Sequence, residues 1–150
     1  MATTIRITKE FRFEMAHALL GYDGMCSNIH GHSYQLSVTL IGQPANNSTD
    51  SKNGMVMDFG DLKSIVKTQI IGQFDHALVL NGSTPEKEKI YSLPLFEKVI
   101  FLPYQPTCEN MLTDFAARIS KYLPKKIKLH NLKLRETNNS FAEWFAEDNE

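Results

Sequence analysis

Residues 26–40 read Cys26-Ser27-Asn28-Ile29-His30-Gly31-His32-Ser33-Tyr34-Gln35-Leu36-Ser37-Val38-Thr39-Leu40. Tyr34, Leu36, Val38 and Leu40 recur at every second residue, the period of a half-buried strand. Side chains alternate across a strand, so His30 and His32 project from the same face as that apolar set. Gly31 between them removes a side chain and allows close approach to the backbone. Upstream, Ile5, Ile7, Phe11, Phe13 and Met15 all occupy odd positions, which predicts a long strand with one apolar face. His17 continues that parity. Three imidazoles in this pattern leave a fourth coordination position open, the arrangement of a catalytic rather than a structural zinc. All-nitrogen ligation suits zinc, with copper, nickel and iron as alternatives.

Working outward, residues 18–29 break the alternation and read as a loop, as does the polar stretch 42–54. Gly54-Met55-Val56-Met57 is expected to form a short strand. Asp58 then reads as an N-cap, with Asp61 favourable in the first turn of a helix over about 59–72. Residues 81–91 are polar and contain Pro85, a loop or insertion. Val99–Leu102 is a brief apolar strand. Pro106-Thr107 caps a second helix whose inner face carries Met111, Leu112, Phe115, Ala116 and Ile119, stopped by Pro124. The last long strand sets Leu132, Leu134 and Glu136 on one face, and Phe141–Phe145 adds a short one after a turn at Asn138 and Asn139. The expected order is strand, strand, strand, helix, strand, helix, strand: an α+β chain forming one domain over residues 1–150.

Composition narrows the function. Sixteen basic against seventeen acidic residues give a net charge of −1, which argues against a nucleic-acid or membrane-surface partner. No stretch approaches the ~20 apolar residues of a membrane span. Two cysteines, Cys26 and Cys108, make no disulfide framework, and no secretory segment is evident, so a reducing cytoplasm is expected.

Several side chains carry chemistry. A lone histidine on an apolar face is ordinarily a satisfied core residue, and His130 is read as a surface residue. Cys26 could be an inert thiol; four residues from two metal-ligating histidines it is instead a ligand or a reactive neighbour, because a divalent cation lowers a thiol pKa from ~8.5. Cys108, at the start of the second helix, is read as packing. In Asp75-His76 a carboxylate adjoins an imidazole and can orient it, as in many acid–base pairs. Glu136, in register with two core leucines, costs free energy unless paired. It pairs with a cation or accepts two parallel hydrogen bonds from a ligand with paired N–H donors.

The chain resembles the 6-pyruvoyltetrahydropterin synthase / 6-carboxytetrahydropterin synthase family. The resemblance rests on Phe13-Glu14-Met15-Ala16-His17, Cys26…His30-Gly31-His32-Ser33-Tyr34, Met57-Asp58-Phe59-Gly60-Asp61-Leu62-Lys63, Phe74-Asp75-His76, Pro106-Thr107-Cys108-Glu109-Asn110 and Arg135-Glu136-Thr137. It implies the tunnelling fold, a four-stranded antiparallel sheet with two helices on one face, whose subunits close edge to edge into a barrel. Trimers stacked as a hexamer, with active sites between subunits, are the implied homo-oligomer. It further implies zinc on His17, His30 and His32, Cys26 as the base, and Asp75 with His76 as the partner acid–base pair. Glu136 would anchor the pterin ring, with Thr107 and Glu109 lining its pocket. The implied substrate is the pterin triphosphate 7,8-dihydroneopterin triphosphate.

Two lyases share this equipment. One cleaves the side chain to 6-carboxytetrahydropterin, acetaldehyde and triphosphate, towards queuosine and other 7-deazapurines. The other eliminates triphosphate to give 6-pyruvoyltetrahydropterin. The four-residue step from Cys26 to His30 resembles the bacterial carboxy-forming branch, whereas the animal pyruvoyl-forming branch has a longer spacer. The carboxy-forming enzyme is therefore favoured. A non-catalytic module binding zinc or pterin is the alternative of another class, and retention of Cys26 and Asp75-His76 argues against it. Ala18 stands where many bacterial members have a basic residue, and residues 82–104 make a longer connection than in compact members.

Overall fold

The computed structural model describes residues 2–150. Two long strands, β1 (Ile5–His17) and β2 (His30–Gly42), pair antiparallel over their full length, from Ile5 opposite Gly42 to His17 opposite His30. The odd residues of β1 and the even residues of β2 face inward as their alternation requires: Phe11, Phe13, Met15, Leu36, Val38 and Leu40 are buried.

Asp58 caps α1 (Phe59–Val66), its carboxylate accepting from the Gly60 N–H at 2.7 Å. The helix continues through a π-helical turn (Lys67–Ile71) and a last turn (Gly72–Phe74), two residues beyond its expected end. After it come β3 (Ala77–Asn81), the short α2 (Lys87–Tyr91), β4 (Val99–Leu102), α3 (Cys108–Ser120), β5 (Lys128–Thr137) and β6 (Ser140–Phe145). Leu62, Val66, Ile70 and Phe74 pack with Met111, Phe115 and Ile119 onto the inner face of the sheet. Phe74 meets Phe115 edge-on at 5.1 Å. Each such fully buried side chain contributes about 1.5–3 kcal/mol.

The sheet corrects the expectation of four antiparallel strands. It has six, in the order β4-β3-β1-β2-β5-β6, and is mixed: β3 runs parallel to both β1 and β4. The unforeseen strand is β3. Its residues Ala77, Leu78, Val79 and Leu80 are all buried, so they show no polar–apolar alternation. The expected strand at Gly54–Met57 is absent from the sheet. Gly54 has φ +84, and the segment turns back on Ala45, whose N–H donates to the Met55 carbonyl at 2.9 Å and whose carbonyl accepts from Gly54 N–H at 2.7 Å.

Two irregularities in β5 bear on the site. Pairing with β2 slips between Thr39 and Leu40, where Asn131 and then Leu129 are the partners, so His130 is an extra residue and Leu129 takes the buried position. Pairing with β6 slips between Arg135 and Thr137, leaving Glu136 as the extra residue. No described helix is long and apolar enough to cross a membrane.

Candidate active site

The β1–β2 register builds the centre of the site. His17 lies opposite His30, and His32 opposite Met15, so three imidazoles gather at one end of the inner face. Their ring centroids are 4.6, 4.9 and 5.2 Å apart, and their ligand nitrogens all lie within 4.8 Å of one another. Backbone carbonyls aim two of them. His17 Nδ1–H donates to Pro106 O at 2.8 Å, and His30 Nδ1–H donates to Asn28 O at 2.7 Å. A carbonyl only accepts, so each ring carries its proton on Nδ1 and presents a bare Nε2.

Those two Nε2 atoms are 3.1 Å apart. Two lone pairs facing each other at that distance repel, unless a cation takes both. This donor set fits a divalent metal ion of the kind imidazoles favour. Electrostatics agrees. Burial lowers the His17 pKa, against the opposing pull of its Pro106 bond and of Glu136, and burial likewise lowers that of His32. The neutral form, which is the ligating form, is thereby favoured.

Glu136 closes the inner side. The β5 bulge releases its carboxylate from the ladder, and Oε1 sits 3.5 Å from both His17 Nε2 and His32 Nε2. The Tyr34 hydroxyl donates to the same oxygen at 3.2 Å, and Cys108 lines the same groove as this carboxylate. Burial and the Glu136 charge push the Tyr34 hydroxyl well above its ordinary range. They push the Cys108 thiol up to about 12. Both therefore stay protonated, and the Tyr34 hydroxyl acts as a donor.

Cys26 lies in a single 3₁₀ turn (Met25–Ser27) and is exposed. With His17, Thr107, Cys108, Glu109 and Glu136 it lines a groove of about 280 Å³. Thr107 caps α3, accepting from the Asn110 N–H at 3.3 Å, and Glu109 stands in that helix's first turn. The sequence marks Cys108 as a packing residue only. It is buried, yet it also borders this groove beside Glu136. Tyr34 was likewise missed as a site residue, although its parity with His32 on an apolar face already marked a buried hydroxyl in need of a partner.

Asp75 and His76 stand apart from Cys26. They follow the last turn after α1, where His76 adopts a left-handed backbone at φ +60. The His76 N–H donates to Glu14 O at 2.6 Å, and Asp75 Oδ1 accepts from Glu14 N–H at 2.9 Å. His76 Nδ1 lies 3.1 Å from that same carboxylate oxygen. Burial raises the Asp75 pKa, but the Glu14 N–H, His76 and Lys98 outweigh it and hold the carboxyl below its usual range. His76 lines a second groove, of about 640 Å³, with Glu14, Gly31, His32 and residues 94–98. Cys26 and His76 thus line different grooves, Glu136 sharing that of Cys26 and His32 that of His76.

Comparison with known proteins agrees with this architecture. A family described as 6-pyruvoyl tetrahydropterin synthase matches residues 6–147. A Haemophilus influenzae protein named 6-carboxy-5,6,7,8-tetrahydropterin synthase is 36% identical over 141 residues, covering 93% of this chain and 97% of its own. A Rickettsia felis protein of the same name is 33% identical, covering 93% and 99%. Among solved structures, an uncharacterized protein from Wolinella succinogenes superposes with a TM-score of 0.79 at 19% identity, covering 97% of this chain and 99% of its own. The Caenorhabditis elegans 6-pyruvoyl tetrahydropterin synthase gives 0.67 at 20%, covering 97% of each. From Arg6 to Glu147, the chain belongs to the 6-pyruvoyl tetrahydropterin synthase family.

Proposed function

We propose that this chain is a zinc-dependent 6-carboxy-5,6,7,8-tetrahydropterin synthase. It converts 7,8-dihydroneopterin triphosphate to 6-carboxytetrahydropterin, acetaldehyde and triphosphate. The observation that carries the reading is the pair of bare Nε2 atoms of His17 and His30, joined by His32, in a chain whose relatives of near-equal length bear that name. Zinc bound there would supply Lewis acidity, polarising a side-chain oxygen of the substrate so that the adjoining C–H becomes more acidic.

The chain's own residues divide the remaining work. Glu136, held by the Tyr34 hydroxyl, accepts the paired N–H donors of the pterin ring. Thr107 and Glu109 border the ring in the same groove. Cys26, exposed on its turn, takes the proton from the substrate side chain. Asp75 orients His76, which moves a proton on the opposite side. Because Cys26 and His76 open into different grooves, the acid–base pair is completed across a contact between copies. We therefore read the chain as one domain, residues 1–150, in a homo-oligomeric barrel of trimers or a hexamer in the cytoplasm, with sites at the subunit contacts.

Product analysis by mass spectrometry on the zinc-loaded protein tests this. Acetaldehyde with 6-carboxytetrahydropterin supports it; accumulation of a pyruvoyl pterin instead would move the chain to the other lyase. Cys26→Ala should keep zinc and oligomer but lose turnover. Wild-type activity in that variant would remove Cys26 as the base.

A further inference from the structure

The β1–β2 ladder runs on to His17 and His30, whereas the β2–β5 ladder stops at Gln35 opposite Arg135. Past that pair the two strands part, helped by the bulge at Glu136. A groove of about 570 Å³ follows the parting. Its inner end is bordered by His32, Tyr34 and Glu136; on the outer face of the sheet it is bordered by Arg12, Gln35 and Arg135. One groove is thus lined both by residues of the metal end of the site and by two arginines.

Those guanidiniums are placed by register. Arg12 pairs with Gln35, and Gln35 pairs with Arg135, so the three form a row across β1, β2 and β5. With strands about 4.8 Å apart, the two arginine Cα atoms stand roughly 10 Å from each other, a spacing that two long side chains can close around phosphate. Arg135 is already ordered. Its Nη1–H donates to Asn138 O at 3.1 Å, and its guanidinium carbon lies 4.8 Å from the Phe141 ring centroid, a ring that Lys133 Nζ also approaches at 3.8 Å. Among the described residues, neither Arg12 nor Arg135 has a carboxylate within ion-pair distance. Glu14 also borders the groove, but one of its oxygens accepts from the Ser33 hydroxyl at 2.7 Å. Its charge keeps an anion off the Ser33 end and directs it towards Gln35.

We propose that Arg12 and Arg135, with Gln35 between them, hold the phosphate tail of the ligand whose head Glu136 accepts. The inference rests on the pterin triphosphate reading for the identity of the head group only. It makes the two arginines specificity-determining residues: they distinguish a phosphorylated ligand from the same ligand without phosphate.

The test compares Arg12→Gln/Arg135→Gln with the zinc-loaded wild type, using Lys128→Gln, elsewhere on the outer face, as the control for general charge. Zinc content and oligomeric state are checked first. Affinity for 7,8-dihydroneopterin triphosphate should fall about tenfold for each guanidinium removed. Affinity for unphosphorylated 7,8-dihydroneopterin should be unchanged, and the control should match wild type for both. Equal loss for both ligands, or an equal loss in the control, would overturn the proposal. If wild type binds neither pterin, the pterin reading fails, and inorganic tripolyphosphate decides. Binding lost in the double variant and kept in the control supports the site; no binding to wild type, or binding retained in the double variant, overturns it.

Discussion

Tyr34→Phe isolates what Glu136 does. The substitution removes one oxygen and leaves the ring, which stays stacked on Phe13 at 5.2 Å in a fully packed position. What disappears is the 3.2 Å bond to Glu136 Oε1. A hydrogen bond to a charged acceptor contributes about 1.5–3 kcal/mol. This one is long, and the Glu136 side chain is 27% exposed, so water takes over part of the lost donation. The lower end applies. Folding should lose less than about 1 kcal/mol, because no cavity opens and the carboxylate is rehydrated. Ligand binding excludes that water, so there the loss should be about 1.5 kcal/mol, or about tenfold in Kd for 7,8-dihydroneopterin. Urea denaturation and a fluorescence titration of the pterin read the two quantities separately. The effect should not vary between pH 6 and 9, since the hydroxyl titrates far above that range. Unchanged pterin affinity would refute Glu136 as the acceptor of the head group. A stability loss above about 3 kcal/mol would show that the hydroxyl holds the fold rather than the site.

Iodoacetamide should alkylate exposed Cys26 in the native protein and spare Cys108 until unfolding, because Cys108 is buried with its thiol pushed up to about 12; mass spectrometry of tryptic peptides reads this, and equal labelling of both would contradict it. Acid should destabilise the metal-free protein. The folded-state pKa values of His17 and His32 lie below 6.5, so their contribution is fully present above pH 6.5 and declines as pH falls towards those lowered values, where the unfolded chain binds more protons. Urea midpoints at pH 7.5 and 5.5 test that sign, and a midpoint that rises on acidification would reverse it.

The parts of the fold legible in the sequence were those with a clean period. β1 and β2 alternate, so the inward set that carries His17, His30 and His32 followed from parity, and the caps Asp58 and Thr107 marked both main helices. β3 was illegible for the opposite reason: a strand buried on both faces has no period to read. Gly54–Met57 looked like a strand because apolar residues follow a glycine, but the positive φ of Gly54 turns the chain back on Ala45. His130 and Leu132 share parity in sequence, and the bulge at His130 breaks that parity in space. Glu136 stood out as a charge among core leucines; the bulge that frees it from the ladder has no local sequence marker. The place of Cys108 beside Glu136 depends on how α3 packs against β5, a long-range relation that spacing does not encode. The separation of Cys26 from Asp75-His76 depends on where the β1–β3 pairing places the turn after α1, which is equally non-local.

X-ray absorption at the metal edge of the purified protein, with metal content measured in parallel for wild type and His30→Ala, tests the three-imidazole site most directly. Wild type should show a nitrogen or oxygen shell at about 2.0 Å and no sulfur at about 2.3 Å, and His30→Ala should retain little metal. A sulfur shell would make Cys26 a ligand rather than a base, and full metal retention in His30→Ala would place the ion elsewhere.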